Sequence, residues 1–557
     1  MGRFMIMNEN DMAATALEHT GRGEQALIYS QQNRLLFELR AEEEIPFGNK
    51  IALTDIPEGE RVIKYGAPIG MATRDIKKGT LVHVHNVKSL AVDIPENIRR
   101  EIIRQMNILA PSSEIPAPLG EITALSGTCC PRRKPVYEPA SGDRCAAVSQ
   151  PHFQWGNPDT DGTPDAMEFM GYARPDGSVG IRNKILIIAV DECCEGIARG
   201  IARHSAAAVV LTNWYTCMLG GNEETFNQMV AVGKNPNVAA VMVIAMGCGS
   251  ILPSQVGDEI ALTGKPVVCM TCEQLRGTRN TIAYGVERLK EFEAEISSMK
   301  REKFPMSKLV VGVKCGGSDT SSGIASNPSA GAALDRLTDM GAVGIGGELF
   351  ELQGCEEILS ERAVSPEVAQ KIITLIGRER DRWSVKGADV ETMSIGNCVG
   401  GLTTIEEKSL GALHKMGSRP IQDVLQINKD FIDRPDRPGF YLSEATMLCG
   451  GAGVNYASLG AHMILWTSGA AGFQNALVPV ILISGNSELI NDDIDIDASA
   501  VMDGTAGVED IARQIVDTVR RVADGEPARI EGIGDSTMTL YQKDQRVESL
   551  LAACKRS

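Results

Sequence analysis

Aromatic residues are scarce in this 557-residue sequence, at 4%, and histidine occurs only seven times. Core packing therefore falls to aliphatic and small side chains, and the 57 glycines suit tight turns. No run of 18 apolar residues occurs, which argues against a membrane-spanning helix. No long basic stretch offsets the net charge of −17, so neither nucleic acid nor an anionic membrane surface is an expected partner. The opening residues, MGRFMIMNENDM, lack an uninterrupted apolar region, and Ile6 stands where a myristoylation signal wants Ser or Thr. A cytoplasmic protein is expected. In that setting its fourteen cysteines read as reduced thiols, some of them metal ligands, rather than as a disulfide framework.

What is present is a globular composition, with 43% hydrophobic and 23% charged residues, in a chain too long for one core. Residues 1–100 hold short alternating runs broken by turns such as PEG and KKG, the pattern of a small β domain. Residues 101–166 are rich in Pro, Gly and Ser without periodicity and read as a linker. Beyond them, continuous apolar runs such as KILIIAVD and VAAVMVIAM alternate with helical segments, the signature of strands buried on both faces. Two Rossmann-like parallel-sheet α/β units are expected, over 167–304 and 305–557.

Ligands of open parallel sheets bind beyond the carboxyl ends of the strands. Cys193 and Cys194 follow the first expected strand, Cys217 the second, Cys248 the third and Cys272 the fourth. Loops from neighbouring strands can bring such thiols to one iron ion or cluster, although a single buried Cys is more often an ordinary core residue. His83 and His85, two apart in LVHVHN, would share one face if this run is a strand. KCGGSDTSSGIASNPS, residues 314–329, follows an apolar run and precedes a helical pattern; its hydroxyls and Asp319 suit a polyhydroxylated or anionic ligand. A second Gly-rich stretch, GNCVGGLTTIEEKSLG, runs into a helix with Glu406, Glu407 and Lys408.

These two stretches, with GYARPDGSVGIRN (171–183) and GGELFELQGCEE (346–357), together resemble the altronate/galactarate dehydratase family, which includes the sulfolactate sulfo-lyases. The likeness spans about 167–545, and the first domain resembles the SAF-type β-clip domain fused to altronate dehydratases. It implies a metal-dependent hydro-lyase, with iron(II), or an iron–sulfur cluster, Mn²⁺ or Mg²⁺ as alternatives. Carried over by position, it implies His83, His85, Lys408 and Asp319 as catalytic residues. Lys64, Tyr65, Arg182, Asn183, Ser318, Glu348 and Glu351 are implied as substrate contacts, and Cys193, Cys194, Cys217 and Cys248 as metal ligands. TNWYTCMLGG lacks a family His, Gly249 follows Cys248 where a Glu is usual, and TSGAAG lacks a family Arg.

The expected reaction is loss of water from a small hydroxy or sugar acid by β-elimination, giving a 2-keto-3-deoxy acid. A carbon–sulfur lyase releasing sulfite from a sulfolactate-like acid is the alternative. An inactive metabolite-binding homologue is a third reading. A homodimer or higher homo-oligomer is expected, with the small domain reaching its own cleft or a partner's.

Overall fold

The computed structural model describes residues 1–90, 96–105, 167–214, 223–383, 393–468, 474–533 and 537–541. Short strands over the first 90 residues form a six-stranded sheet, in the order Leu35–Arg40, Gln25–Tyr29, Gly2–Met5, Ala13–Ala16, Lys50–Ala52 and Leu81–Val82. A three-stranded sheet of Arg61–Lys64, Ala67–Ala72 and Val87–Lys88 lies alongside. The turns in PEG and KKG place Gly59 and Gly79 at φ of +81° and +86°, as the sequence requires there. The strand at 81 stops at Val82: the amides of Asn86 and Val87 both bond back to the His83 carbonyl, which curls 83–87 into a turn. His83 and His85 therefore do not alternate along a strand.

The rest of the molecule is built on two all-parallel sheets, beside a small antiparallel sheet of Val179–Gly180, Glu168–Ala173 and Glu302–Pro305. The first has the order Val267–Thr271, Val238–Ala245, Lys184–Ala189, Ala208–Thr212 and Thr537–Thr539. Every residue of VAAVMVIA is buried, which is why its sequence shows no alternation. The second sheet has seven strands, Ile421–Leu425, Gly439–Ser443, Val343–Gly346, Val310–Cys315, Met463–Thr467, Val480–Ser484 and Ile496–Asp497. The fold is thus α/β, with a small β domain before two parallel-sheet units. Thr537–Thr539 returns from the far end of the chain to pair with Ala208–Thr212. The segment read as wholly second-unit therefore closes the first sheet.

In each parallel sheet the chain reverses direction beside its first strand, leaving a crevice at the carboxyl ends. In the first sheet the reversal lies between Lys184–Ala189 and Val238–Ala245, and in the second between Val310–Cys315 and Met463–Thr467. One continuous apolar core runs from Met5, Val62 and Tyr65 of the small domain to Ile324, Leu410 and Leu413 of the second unit. A second core fills the space between the two parallel sheets, where Leu186 and Val241 of one join Ile345, Tyr456 and Ile464 of the other. The small domain is packed as part of the body of the protein.

Candidate active site

Val310–Cys315 ends at the crevice of the second sheet, and the Gly- and Ser-rich loop follows directly. Asp319 caps what comes next, its Oδ1 accepting from the Ser322 amide at 2.9 Å and the Ser321 hydroxyl at 2.7 Å, and its Oδ2 from Asn486 at 3.1 Å. A wide π-helical turn over Ser322–Ser326 then opens the Asn327–Asp339 helix. Glycine is needed for close approach: a Cβ on Gly323 would stand 2.6 Å from the Tyr65 hydroxyl, and one on Gly316 2.2 Å from the Trp466 indole nitrogen. The long junction brings the small domain and three strand ends together.

Beneath that loop lies a buried charge network. Glu348, held in the left-handed region at φ +65°, accepts from Lys314 Nζ at 2.5 Å, Lys415 Nζ at 3.0 Å and the Cys315 amide at 2.9 Å. Burial alone would raise its pKa, but the two ammonium groups outweigh it and hold the carboxyl at about 2. Burial disfavours the charge on Lys415, yet the Cys315 thiol, 3.1 Å away, and Glu348 push its pKa well above the usual range. Glu351 pairs with Lys408 at 3.0 Å through Oε1, while its buried Oε2 has no hydrogen-bond partner. The hydroxyls of Ser318, Thr320, Ser326, Ser329, Ser409 and Tyr65 are likewise buried and unpartnered. So many unsatisfied polar atoms in one region suit a polar ligand or water.

The helix Ile405–Leu413 is the hub. Thr404 caps it by accepting from the Glu407 amide at 3.2 Å, and its first turn carries Glu406, Glu407 and Lys408. Glu406 accepts from the Ser89 hydroxyl and the Leu90 amide. Glu407, fully buried, accepts from Lys64 at 2.8 Å, Lys50 at 3.0 Å and the Thr403 amide at 2.8 Å. Despite burial, the two lysines hold its carboxyl at about 2. One carboxylate cannot fully compensate two ammoniums, so burial brings Lys50 down to about 8 while Lys64 stays protonated. Lys408 reaches the other way, to Glu351 and to Asn397 Oδ1 at 3.3 Å. Asn397 in turn donates to the Ser318 carbonyl at 2.8 Å.

Several expected residues sit elsewhere. His83 lies against the 398–403 loop, its Nε2–H donating to the Cys398 carbonyl at 3.0 Å and its Nδ1 accepting from the Thr403 hydroxyl at 3.0 Å. Burial, then Lys50, keeps it neutral, and both ring nitrogens are engaged. His85 is lowered to about 4 by burial and Arg74, and its buried Nδ1 has no hydrogen-bond partner. Arg182 forms a fork with Glu531 at 2.7 and 2.8 Å and also donates to the Val522 and Glu526 carbonyls. Arg182 and Asn183 precede Lys184–Ala189, at the opposite end of that strand from the thiols, roughly 20 Å away at about 3.3 Å per residue. They do not line the carboxyl-end crevice.

At the first crevice, Cys193 and Cys248 are exposed and Cys194 and Cys272 buried. Burial, then Asp191 and the neighbouring thiols Cys272, Cys193 and Cys248, push Cys194 up to about 12. The thiols are thus gathered, but no three of these sulfurs come within 4.8 Å among the described residues, and Cys217 lies outside them. A groove of about 360 Å³ opens beside them, lined by Gly247, Gly249, Pro253, Ser254, Thr271 and Glu273. At the second crevice Cys315, Glu348 and Glu351 do place three donor atoms within 4.8 Å of one another, a candidate metal-binding group. Both Glu348 oxygens and the thiol, however, already face Lys314 and Lys415. As arranged, this trio does not fit a divalent cation, which would have to displace two ammonium groups. The donor chemistry of the first crevice, several thiols at one sheet edge, does suit iron.

Sequence reading assigns no role to Lys50, Lys314, Lys415 and Asn397, and marks Glu407 only as a charge on its helix. The signal for the lysines was available, a lone cation inside an apolar run, as in KIAL, LVVGVKC and ALHKMG.

Taken together, the two sheets and the docked β domain form an α/β protein whose second crevice holds buried acid–lysine pairs and unpartnered polar groups. Comparison with known proteins is specific. Residues 2–90 match the altronate/galactarate dehydratase SAF domain. Residues 171–297 match the D-galactarate dehydratase/altronate hydrolase second domain, and 306–546 the D-galactarate/altronate dehydratase C-terminal domain. The beta subunit of a (2R)-sulfolactate sulfo-lyase from Chromohalobacter salexigens is 32% identical over 388 residues, 67% of this chain and 96% of that protein. Altronate dehydratase of Escherichia coli is 28% identical over 541 residues, 94% of this chain and 96% of the relative. The sulfo-lyase's alpha subunit is 44% identical over 62 residues, 11% of this chain and 64% of its own length. The chain belongs to the altronate/galactarate dehydratase family and is an enzyme of the lyase class.

Proposed function

We propose that this lyase removes water from a small anionic hydroxy or sugar acid, leaving a 2-keto-3-deoxy acid. The observation that supports it best is the pair Glu351–Lys408, with one carboxylate oxygen bonded to the ammonium and the other buried and free. Glu351 Oε2 takes the proton from the carbon next to the carboxylate, and that electron pair becomes the C2=C3 double bond. The C3–O bond breaks, and Lys408 supplies the proton that lets hydroxide leave as water. The resulting enol tautomerises to the ketone. Return of the proton from the Glu351 carboxyl to Lys408, which pairs with its other oxygen, Oε1, restores the starting state. Ser318 and Thr320 hydroxyls hold substrate oxygens, and Asp319 keeps their loop in place.

Iron(II) is the proposed metal, with Cys193, Cys194, Cys248 and Cys217 as its holders; bound there, it would supply Lewis acidity. The division into 1–100, a 101–166 linker, 167–304 and 305–557, with 537–539 lent to the first sheet, a cytoplasmic location and a homo-oligomer belong to the same reading. A second reading is release of sulfite from a sulfolactate-like acid. It is favoured by the match, within this one chain, to pieces named as both the alpha and beta subunits of a sulfo-lyase. Sulfite leaves without a proton, so this reading needs Glu351 more than Lys408.

An anaerobic assay of iron-supplemented protein on a panel of hydroxy and sulfo acids tests both readings, with 2-keto acid and sulfite measured separately. Keto acid without sulfite is the expected result. Sulfite release would support the second reading, and iron uptake without turnover of any acid would favour an inactive binding homologue.

A further inference from the structure

The small domain's hold on the second unit is polar as well as apolar, and its buried polar part lies on the 398–403 loop and the helical turn that follows. Consecutive residues there serve different bodies. Glu406 is bonded by 89–90, Glu407 by Lys50 and Lys64, and Lys408 faces Glu351 and Asn397. Lys50 also donates to the Gly401 carbonyl at 2.7 Å, and His83 bonds the 398 carbonyl and the Thr403 hydroxyl. The loop entering the helix and its first turn are therefore clasped from one side. Glu407 and its two lysines are all buried, so none of the three can be satisfied by water if another is lost.

We propose that Glu407 is a positioning residue: through it, Lys50 and Lys64 of the small domain register the first turn of the Ile405–Leu413 helix and so hold Lys408 at Glu351. This rests on the role given to Lys408 above. The geometry is direct. Lys408 is the next residue along the turn, and its reach to Glu351 depends on the helix not rotating or sliding. An ångström-scale shift would break a 3.0 Å pair, and misplacement of that size costs about 10²-fold in rate when the group transfers a proton. The clasp gives the β domain a catalytic reason to be fused to this enzyme.

The test uses the full chain with the variants Glu407→Gln, Glu407→Asp and Lys50→Met, and follows the rate at which an amine-acylating reagent modifies Lys408, read by peptide mass spectrometry. Glu407→Gln is expected to speed that labelling by about tenfold or more and to lower kcat by about tenfold or more, with KM moving by less than about threefold. Glu407→Asp should recover part of both. Lys50→Met keeps the Lys64 pair and should move both in the same direction by a smaller factor, which keeps the test open if Glu407→Gln does not fold. Unchanged labelling in the folded variants would overturn the proposal, as would faster labelling with kcat within about twofold of the parent. If the parent turns over no acid, the reading of the reaction fails, and the labelling by itself still decides whether Glu407 positions Lys408.

Discussion

The two parallel sheets offer the same kind of crevice and furnish it in opposite ways. The first is lined with thiols, two of them exposed, beside an open groove. The second is filled with lysines and glutamates paired to one another, with Glu348, Lys314 and Lys415 almost wholly buried. Soft neutral donors at an open edge can take up an ion without unmaking anything. Paired buried charges hold their own geometry and exclude an added cation. One topology thus carries two differently furnished crevices by side-chain choice alone, and the proposed function assigns the metal to the first and the proton transfer to the second.

The largest expected break in this comparison is Glu348→Ala. It strands two buried ammonium groups, and removing one partner of such a network costs roughly 3–5 kcal/mol. Chemical denaturation should show the loss in the cooperative transition of the second unit and its core. An unchanged midpoint would mean the network carries little of the fold.

Next in size is the acid response. Glu348 and Glu407 are held at about 2 in the folded protein, below their ordinary 4.5. Between those values the unfolded chain binds more protons, so their stabilisation is complete above pH 4.5 and is lost as pH falls towards 2. Lys50 acts in reverse: held at about 8 rather than 10.5, it costs stability below 8, and that cost is relieved as pH rises through 8 to 10.5. Melting temperatures across pH should fall steeply on the acid side. A Glu407→Gln variant with an unaltered acid limb would contradict the assignment for that residue.

Much of this was readable beforehand. Runs such as VAAVMVIAM and KLVVGVK are apolar because both faces of their strands are buried, and that pattern predicts a parallel sheet directly. Ile421–Leu425 and Gly439–Ser443 were missed because IQDVL sits near an edge with Gln422 and Asp423 half-buried, and GFYLS is short and mixed. Thr537–Thr539 joins a sheet more than 300 residues back, a partner no local pattern encodes. Within the site, Lys408, Glu348, Glu351 and Asp319 stood in recognisable motifs and do converge near the second crevice. His83 lies beyond the strand that the alternation in LVHVHN suggests, because that strand ends at Val82. Lys50 and Glu407 meet only when two distant segments dock.

The smallest expected stability effect belongs to the thiol edge. Cys248→Ser, exposed at the first crevice, should change stability by less than about 0.5 kcal/mol, yet lower iron content measured after anaerobic loading. Cys315→Ser in the second crevice should leave iron content unchanged. The reverse outcome would move the metal to Cys315, Glu348 and Glu351.

The division of labour is tested most directly by Lys408→Met, prepared anaerobically with iron and measured for both metal content and turnover of the acid the parent accepts. Iron content should equal the parent's while kcat falls by about 10²-fold or more, the usual cost of losing a proton-transfer group. Turnover within about twofold of the parent, at equal iron, would contradict the assignment of the chemistry to the charged crevice.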